Sequence, residues 1–436
     1  MKSLHLNMYK KINYIAAVLV LFTGITAQAQ VNSQSTYSEY GLGNIKPLAL
    51  PQLRAMGGIA SGVFKPSGYN NINMQNPASY SGISMATVDI GMSGSFTTLK
   101  QGSLSEKSFN GALSHIALAF PIVNGKSGIS FGLLPYSQVG YEYTKQSSVG
   151  GTNYTSIYSG EGGLSKAYLG FGQQIGSHFR VGGNVEYLFG NLVKSSSIEM
   201  DLVGAKYTRI QDKNSVGGVA FSYGAQYEIP LGTKKRITLG YSGSSSSTVN
   251  STRTYLASQY LKNSTGDEDA FIDTLTSIKG KETKLKLPLT HSFGFTIQRD
   301  NKWMFGADYR MGGWKKLAID GENQGLQDSW GVSAGGQYTP DVTSIGSYFK
   351  RIDYRLGFMY DKTYIQRSGQ DIKQQAITLG FGLPLAPSRY SFYKLNFTTE
   401  IGQRGTLSNG LVKENYINFH VGFTLNDTWF IKNKLY

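Results

Sequence analysis

The sequence predicts an all-β chain, a transmembrane antiparallel β-barrel of about 14 strands, and three observations carry that reading. The first residues have the make-up of an export signal. Glycine (54 of 436 residues) and tyrosine (29) are abundant and cysteine is absent; glycine at about 12% stands well above the usual 7%. Segments of about ten residues alternate apolar with polar or glycine positions, the period-two pattern of strands with one face in lipid and one on a polar lumen.

The export signal comes first in the chain. Lys2, Lys10 and Lys11 precede an apolar run, Tyr14–Ile25, that is followed by Ala27-Gln28-Ala29. A charged front, a short apolar middle and an A-x-A end make residues 1–29 a secretory signal peptide. The run falls short of the roughly 20 residues a spanning helix needs. Its removal takes three lysines and no acid, so the formal charge drops from +15 to +12. The remaining basic residues are scattered, without a zinc-finger or helix-turn-helix pattern, so nucleic acid is not an expected partner. Outer-membrane lipid, with its phosphate-bearing headgroups, is. With no cysteine, disulfides, thiol chemistry and a cleavage-site lipid anchor are all excluded.

The strands follow from alternation. In KWMFGADYRMG, Trp303, Phe305, Ala307, Tyr309 and Met311 share one face, opposite Lys302, Gly306, Asp308 and Arg310. In RIDYRLGFMYD, Ile352, Tyr354, Leu356, Phe358 and Tyr360 oppose Arg351, Asp353, Arg355 and Asp361. Near the end, Ile417, Phe419, Val421, Phe423 and Leu425 form another apolar face. A water-soluble sandwich also alternates. Large aromatics near the ends of the apolar faces and opposite charges clustered on the other faces favour a lipid-facing barrel with a polar lumen. Asp308, Arg310, Arg351, Asp353 and Arg355 are the expected lumen charges, read mainly as internal ion pairs that neutralise one another.

Such segments start near residues 84, 108, 128, 164, 178, 215, 235, 284, 302, 328, 351, 374, 390 and 414. Short connections alternate with long polar ones near 144–163, 191–214, 242–283, 312–327 and 362–373, and 340–350 is intermediate. The short turns are expected in the periplasm and the long loops outside. The longest, 242–283, has room for a short helix. Its Leu256, Tyr260, Leu261, Phe271, Ile272 and Leu275 would serve a ligand mouth or a partner surface.

Residues 30–83 do not alternate. Gly57-Gly58, Asn70-Asn71 and Asn76-Pro77 are turn formers among apolar residues, so the segment reads as compact and ordered. It could be a periplasmic tail or a plug in the barrel.

Arg54-Ala55-Met56-Gly57-Gly58, followed by Asn76-Pro77-Ala78, resembles the N-terminal hatch of FadL-type long-chain fatty acid transporters. That broad family includes aromatic-hydrocarbon channels and PorV-type barrels of a secretion system. The ending, FTLNDTWFIKNKLY, is similar to the last strand and basic tail of such proteins. The resemblance implies a fourteen-strand outer-membrane barrel (residues 84–436) plugged by a hatch (residues 30–83) that includes Arg54, Gly57, Gly58, Asn76 and Pro77. It also implies a hydrophobic ligand that leaves sideways through a kink in the third strand. Here that strand contains FGLLPYSQVGYEY, so Pro135 and Tyr136 are the candidates for the lateral opening. Proline cannot donate to the ladder, and a bulge is the simpler reading of its place.

No catalytic or metal constellation is apparent. His5, His115, His178, His291 and His420 are dispersed. The G-x-S-x-G matches GMSGS and GYSGS lie in or at the end of strands, where a nucleophile elbow needs strand, turn and helix. No enzyme activity and no cofactor are expected. Two functions remain open: uptake of a hydrophobic or amphipathic small molecule with lateral release, and a non-transporting barrel serving as subunit or docking platform of an envelope complex. An open porin is disfavoured, because an ordered plug of about 50 residues would block it.

Overall fold

In lipid, every backbone N–H and C=O needs a partner within the protein, and a closed antiparallel barrel supplies one. The computed structural model is such a barrel. It describes residues 35–66, 70–200, 204–263, 268–388 and 391–428; the expected signal peptide and the residues 429–436 of the expected basic tail lie outside them. Fourteen strands form the wall in chain order. They are β1 (Ala86–Gln101), β2 (Leu104–Val123), β3 (Ser127–Val149), β4 (Thr152–Ile175), β5 (Phe179–Met200), β6 (Tyr207–Pro230) and β7 (Lys235–Ser244). They continue with β8 (Thr290–Arg299), β9 (Trp303–Gly312), β10 (Ser329–Tyr338), β11 (Asp353–Arg367), β12 (Gln370–Pro384), β13 (Ser391–Gly405) and β14 (Lys413–Asp427). The circle closes where β14 pairs with β1, from Asp427↔Ala86 to Lys413↔Lys100.

The alternation reads out as two faces. Phe295, Phe305, Leu356, Phe358, Ile377 and Phe419 point outward and are exposed, while Asp308, Arg355, Thr378 and Glu400 point inward and are buried. Most strand starts fall within a few residues of the expected ones. β4 and β6 begin earlier, because the stretches expected as loops at 144–163 and 191–214 are largely strand. Their serines, threonines and charges suit a wall that rises out of the lipid: β3 to β6 are 22–24 residues long, about twice what a spanning strand needs.

The 242–283 connection holds no helix among its described residues. It is a β-hairpin, Thr248–Lys262 with Glu268–Lys286, whose first strand pairs with the upper half of β6 from Gly217↔Asn250 to Tyr207↔Tyr260. Threonines and β-branched residues at alternate positions favour extended chain over helix. Tyr260 is buried in this extension and donates to Glu199 Oε1 at 2.7 Å, whereas Leu275 is exposed.

The described residues ahead of β1 pack against the inward face of the wall. Asp308 Oδ2 accepts the backbone N–H groups of Ala60 (2.8 Å) and Ser61 (2.9 Å), and Thr398 donates to the Pro51 carbonyl at 2.7 Å. Inward glycines let the two backbones approach: a Cβ at Gly240, Gly335 or Gly357 would overlap Ser61, Met56 or Gly57. Gly57 itself has φ +72°, and a Cβ on it would lie 2.6 Å from the Phe358 carbonyl oxygen. A left-handed non-glycine residue costs roughly 1–2 kcal/mol before any clash. Gly57→Ala is therefore expected to loosen the segment while leaving the barrel closed. Limited proteolysis checks this: cleavage between residues 35 and 83 should become faster, with the heat-dependent gel mobility of the barrel retained.

Candidate functional site

The hydrogen-bonded wall breaks off between β2 and β3. β1 pairs with β2 along its whole length, out to Gln101↔Leu104. β2 pairs with β3 only from Val123↔Ser127 to Ile116↔Leu133. Pro135, two residues further, has no N–H to continue the ladder. On its other side β3 stays paired with β4, but the register shifts between Pro135↔Ser165 and Ser137↔Leu164, leaving Tyr136 as the extra residue of a bulge. Pro135 thus marks both a bulge and the point where β3 parts from β2.

The freed edge of β3 is taken up by the N-terminal segment. Asn44–Ile45 forms a short antiparallel ladder with Gln138 and Ser137. Lys46 N–H donates to the Tyr136 carbonyl at 2.9 Å, Ser35 N–H to the Gly140 carbonyl at 3.1 Å, and Gly140 N–H to Ser38 Oγ at 3.0 Å. The facing edge of β2, Leu104–His115, has no strand partner among the described residues. Across the gap, Asn110 Nδ2 donates to Gln138 Oε1 at 3.4 Å.

Behind the gap lies a cavity of about 740 Å³, within the range of small-molecule sites. Leu48, Leu50, Leu113, Leu134, Pro135 and Tyr136 are among its apolar lining, the last two at the gap itself, and Lys46, Arg54, Arg404 and Glu414 among its polar lining. At the end bearing the long connections, Tyr37, Leu42, Leu164, Trp314, Leu317 and Tyr364 pack into a buried apolar cluster, four of them also lining the cavity. Trp314 and Tyr364 stack with ring centroids 4.5 Å apart.

The charges expected in the lumen fall into separate groups. Asp353 accepts from Arg355 Nη2 and Lys394 Nζ, both at 2.8 Å, and from Thr339 Oγ1 at 2.7 Å. Arg310 pairs with Asp361 at 2.9 Å. Asp308 holds the N-terminal segment, as described. Arg351 does not join them: it lies in the turn before β11, its guanidinium 5.3 Å from the centre of the Tyr348 ring. Strand alternation had been extended one turn too far there. Arg54 pairs with neither Asp308 nor Asp353 but with Glu400 on β13, at 2.7 Å. Gly58 follows Gly57 with a left-handed φ of its own, +78°.

Asn76 and Pro77 open a short 3₁₀ turn. The Asn76 side chain caps it by accepting from Ala78 N–H at 3.1 Å and donates to the Ser61 carbonyl at 2.7 Å, tying two parts of the segment together. A proline after a capping asparagine is the usual opening of such a turn.

A buried polar chain at the β2 edge escaped the sequence. Ser114, extra between Gly91↔His115 and Met92↔Leu113, places its Oγ 2.9 Å from His115 Nδ1. His115 Nε2 lies 2.7 Å from Asp89 Oδ1, and Asp89 Oδ2 accepts from Thr424 at 2.7 Å and Gln52 at 3.3 Å. The chain braces the rim of the gap to the N-terminal segment. Asp89 is separated from His115 by a strand reversal, so only the strand register could have revealed it.

A sequence model of the BamG family matches residues 8–436. The chain belongs to the BamG family. No curated protein matches it. Among solved structures, a Pseudomonas aeruginosa FadL homologue superposes with a TM-score of 0.57 at 10% identity, over 89% of this chain and 100% of its own. The Pseudomonas putida toluene transporter TodX gives 0.56 at 16% identity, over 88% and 99%, and the Ralstonia pickettii toluene transporter TbuX 0.55 at 14%, over 88% and 99%. At such identities the likeness establishes a FadL-type barrel fold for this BamG-family chain.

The Asp353 group is the most deeply buried of the charge clusters, with Asp353, Arg355 and Lys394 each under 5% exposed. Removing one partner of a buried pair costs roughly 3–5 kcal/mol, because it strands the other charge. Asp353→Ala should lower barrel stability by about that amount in urea titrations followed by tryptophan fluorescence. Adding Lys394→Met, which removes one stranded cation, should restore part of the loss.

Proposed function

We propose that this protein is an outer-membrane channel for the uptake of hydrophobic or amphipathic, fatty-acid-like small molecules, with residues 30–83 as its hatch and lateral release at Pro135 and Tyr136. One observation carries the reading: the β2–β3 ladder ends at Ile116↔Leu133, where the wall gap meets an apolar-sided luminal cavity. The toluene transporters among the structural relatives lend it support. Arg54, held by Glu400, and Gly57, Gly58, Asn76 and Pro77 then serve as the fixed points of the hatch.

A second reading, a docking subunit of an envelope complex akin to PorV-type barrels, is favoured by a different observation. A buried apolar cluster occupies the long-connection end, and the projecting wall carries outward Ile198, Met200, Ile210, Leu275 and Ile278, all exposed. Stoichiometric envelope proteins recovered with the barrel from detergent-solubilised membranes would favour this reading, and recovery of the barrel alone the first.

The transport reading has a direct test, helped by the absence of native cysteine. Asn110→Cys with Gln138→Cys, joined by a short bis-methanethiosulfonate cross-linker, should bridge the gap and lower uptake of a radiolabelled long-chain fatty acid in cells several-fold, with recovery on reduction. Replacing Pro135 by Val, which restores a ladder N–H, should act in the same direction. Uptake unchanged in a cross-linked, folded double mutant would remove lateral release.

A further inference from the structure

Three lysines stand together on the outward face of the wall, at the end bearing the long connections. Lys413 on β14 lies directly opposite Lys100 on β1, and cross-strand partners share a face. Lys107 on β2 is paired with Thr98, two residues before Lys100 and on the same face. Phe96, Phe109 and Phe419 mark that face as the lipid-facing one. All three are exposed, and the Phe96 ring lies 4.6 Å from Phe109 and 6.2 Å from Phe419, centre to centre. The lysines follow this apolar band at its outer edge, Lys107 two residues beyond Phe109 and Lys100 four beyond Phe96. Lys100 and Lys107 are exposed and Lys413 is half-buried.

No acid shares that face of β13, β14, β1 or β2 at this level. Glu414 points inward, where it is buried and accepts from Ser35 Oγ at 2.7 Å, and Glu106 is paired with the buried, inward Leu99. Among the described residues, none of the three ammonium groups has a hydrogen bond or an ion pair. Other cations of the projecting wall are matched: Lys262 with Glu199 (2.6 Å), Lys281 with Asp320 (2.6 Å), Arg253 with Asp212 (2.7 Å) and Lys362 with Asp371 (3.0 Å). Like charges directly opposite one another destabilise a strand pair, so an anion between Lys413 and Lys100 would relieve their arrangement. A single lysine reaching to a membrane surface needs no such partner. The anion has to sit where headgroups meet hydrocarbon, with apolar chains descending over the three phenylalanines.

We propose that Lys100, Lys107 and Lys413 bind a phosphate of an outer-leaflet phosphoglycolipid of the lipid A type, whose acyl chains lie on Phe96, Phe109 and Phe419. A glycolipid of that leaflet is the occupant because the lysines stand at the end of the long connections, the external side of such barrels. The site is on the outside of the wall, apart from the cavity, and does not rest on the transport reading. It fixes one lipid on the face of β14, β1 and β2, beside the β2 rim of the gap.

The test uses the purified full chain in non-ionic detergent, with binding read by native mass spectrometry. The probes are diphosphoryl lipid A, the same lipid A stripped of its phosphates, and dioleoylphosphatidylglycerol. The native protein should bind diphosphoryl lipid A about tenfold or more tightly than either of the others. Lys100→Gln and Lys413→Gln should each weaken that binding by about fivefold, the scale of one basic residue at an anionic lipid surface. Lys100→Arg with Lys413→Arg should retain it. Lys284→Gln with Lys286→Gln removes two exposed lysines elsewhere on the projecting wall and should leave binding unchanged. Unchanged heat-dependent gel mobility certifies the fold of each variant. Equal binding of the two lipid A forms, no binding of either, or an equal loss in the Lys284 and Lys286 variant overturns the site. Phosphatidylglycerol bound as tightly as diphosphoryl lipid A overturns the glycolipid as its occupant.

Discussion

Backbone hydrogen bonding in a medium without water is the constraint on which everything else here depends. It forces the chain into a closed ring of fourteen strands and sets the alternation that sorts Phe305 and Leu356 to lipid and Asp308 and Arg355 to the interior. It also makes any break in the ladder expensive, so a break that persists must be compensated. At Pro135 the compensation is visible on one side. β3 leaves β2 and immediately pairs with Asn44–Ile45, with Ser35 and Ser38 closing further bonds to Gly140. The N-terminal segment thus stands in for the missing neighbour strand.

That substitution ties two features that look independent in the sequence. The proline that opens the wall and the segment that fills the barrel hold each other in place through the same few backbone groups. The β2 side is stiffened differently, by the bulge at Ser114 and the buried chain from His115 to Asp89 and Gln52. Gln52 belongs to the N-terminal segment, so both rims of the gap are anchored to it. Movement of that segment would therefore be felt at both rims of the gap at once.

The barrel was legible because period-two alternation is a local property repeated fourteen times, and strand starts such as those of β7, β9 and β10 need nothing else. Pro135 was legible because proline has one unavoidable consequence in a ladder. What escaped depends on register or on distance. Asp89 and His115 meet only once the pairing of β1 with β2 is known, and Arg54 finds Glu400 some 350 residues away. The extension of β3 to β6 was hidden because polar, threonine- and serine-rich strands outside the lipid resemble loops when hydrophobicity is the guide. Arg351 was misplaced because alternation continues formally through a turn where the strand does not.

The interior is neither an empty pore nor a uniformly packed core. Near the long-connection end, Trp314, Tyr364 and Leu42 pack in a buried apolar cluster, and the cavity that remains adjoins the gap. Separating that cluster would part stacked aromatics and expose apolar area to water, whereas between the β2 and β3 rims one long hydrogen bond, from Asn110 to Gln138, spans the gap among the described residues.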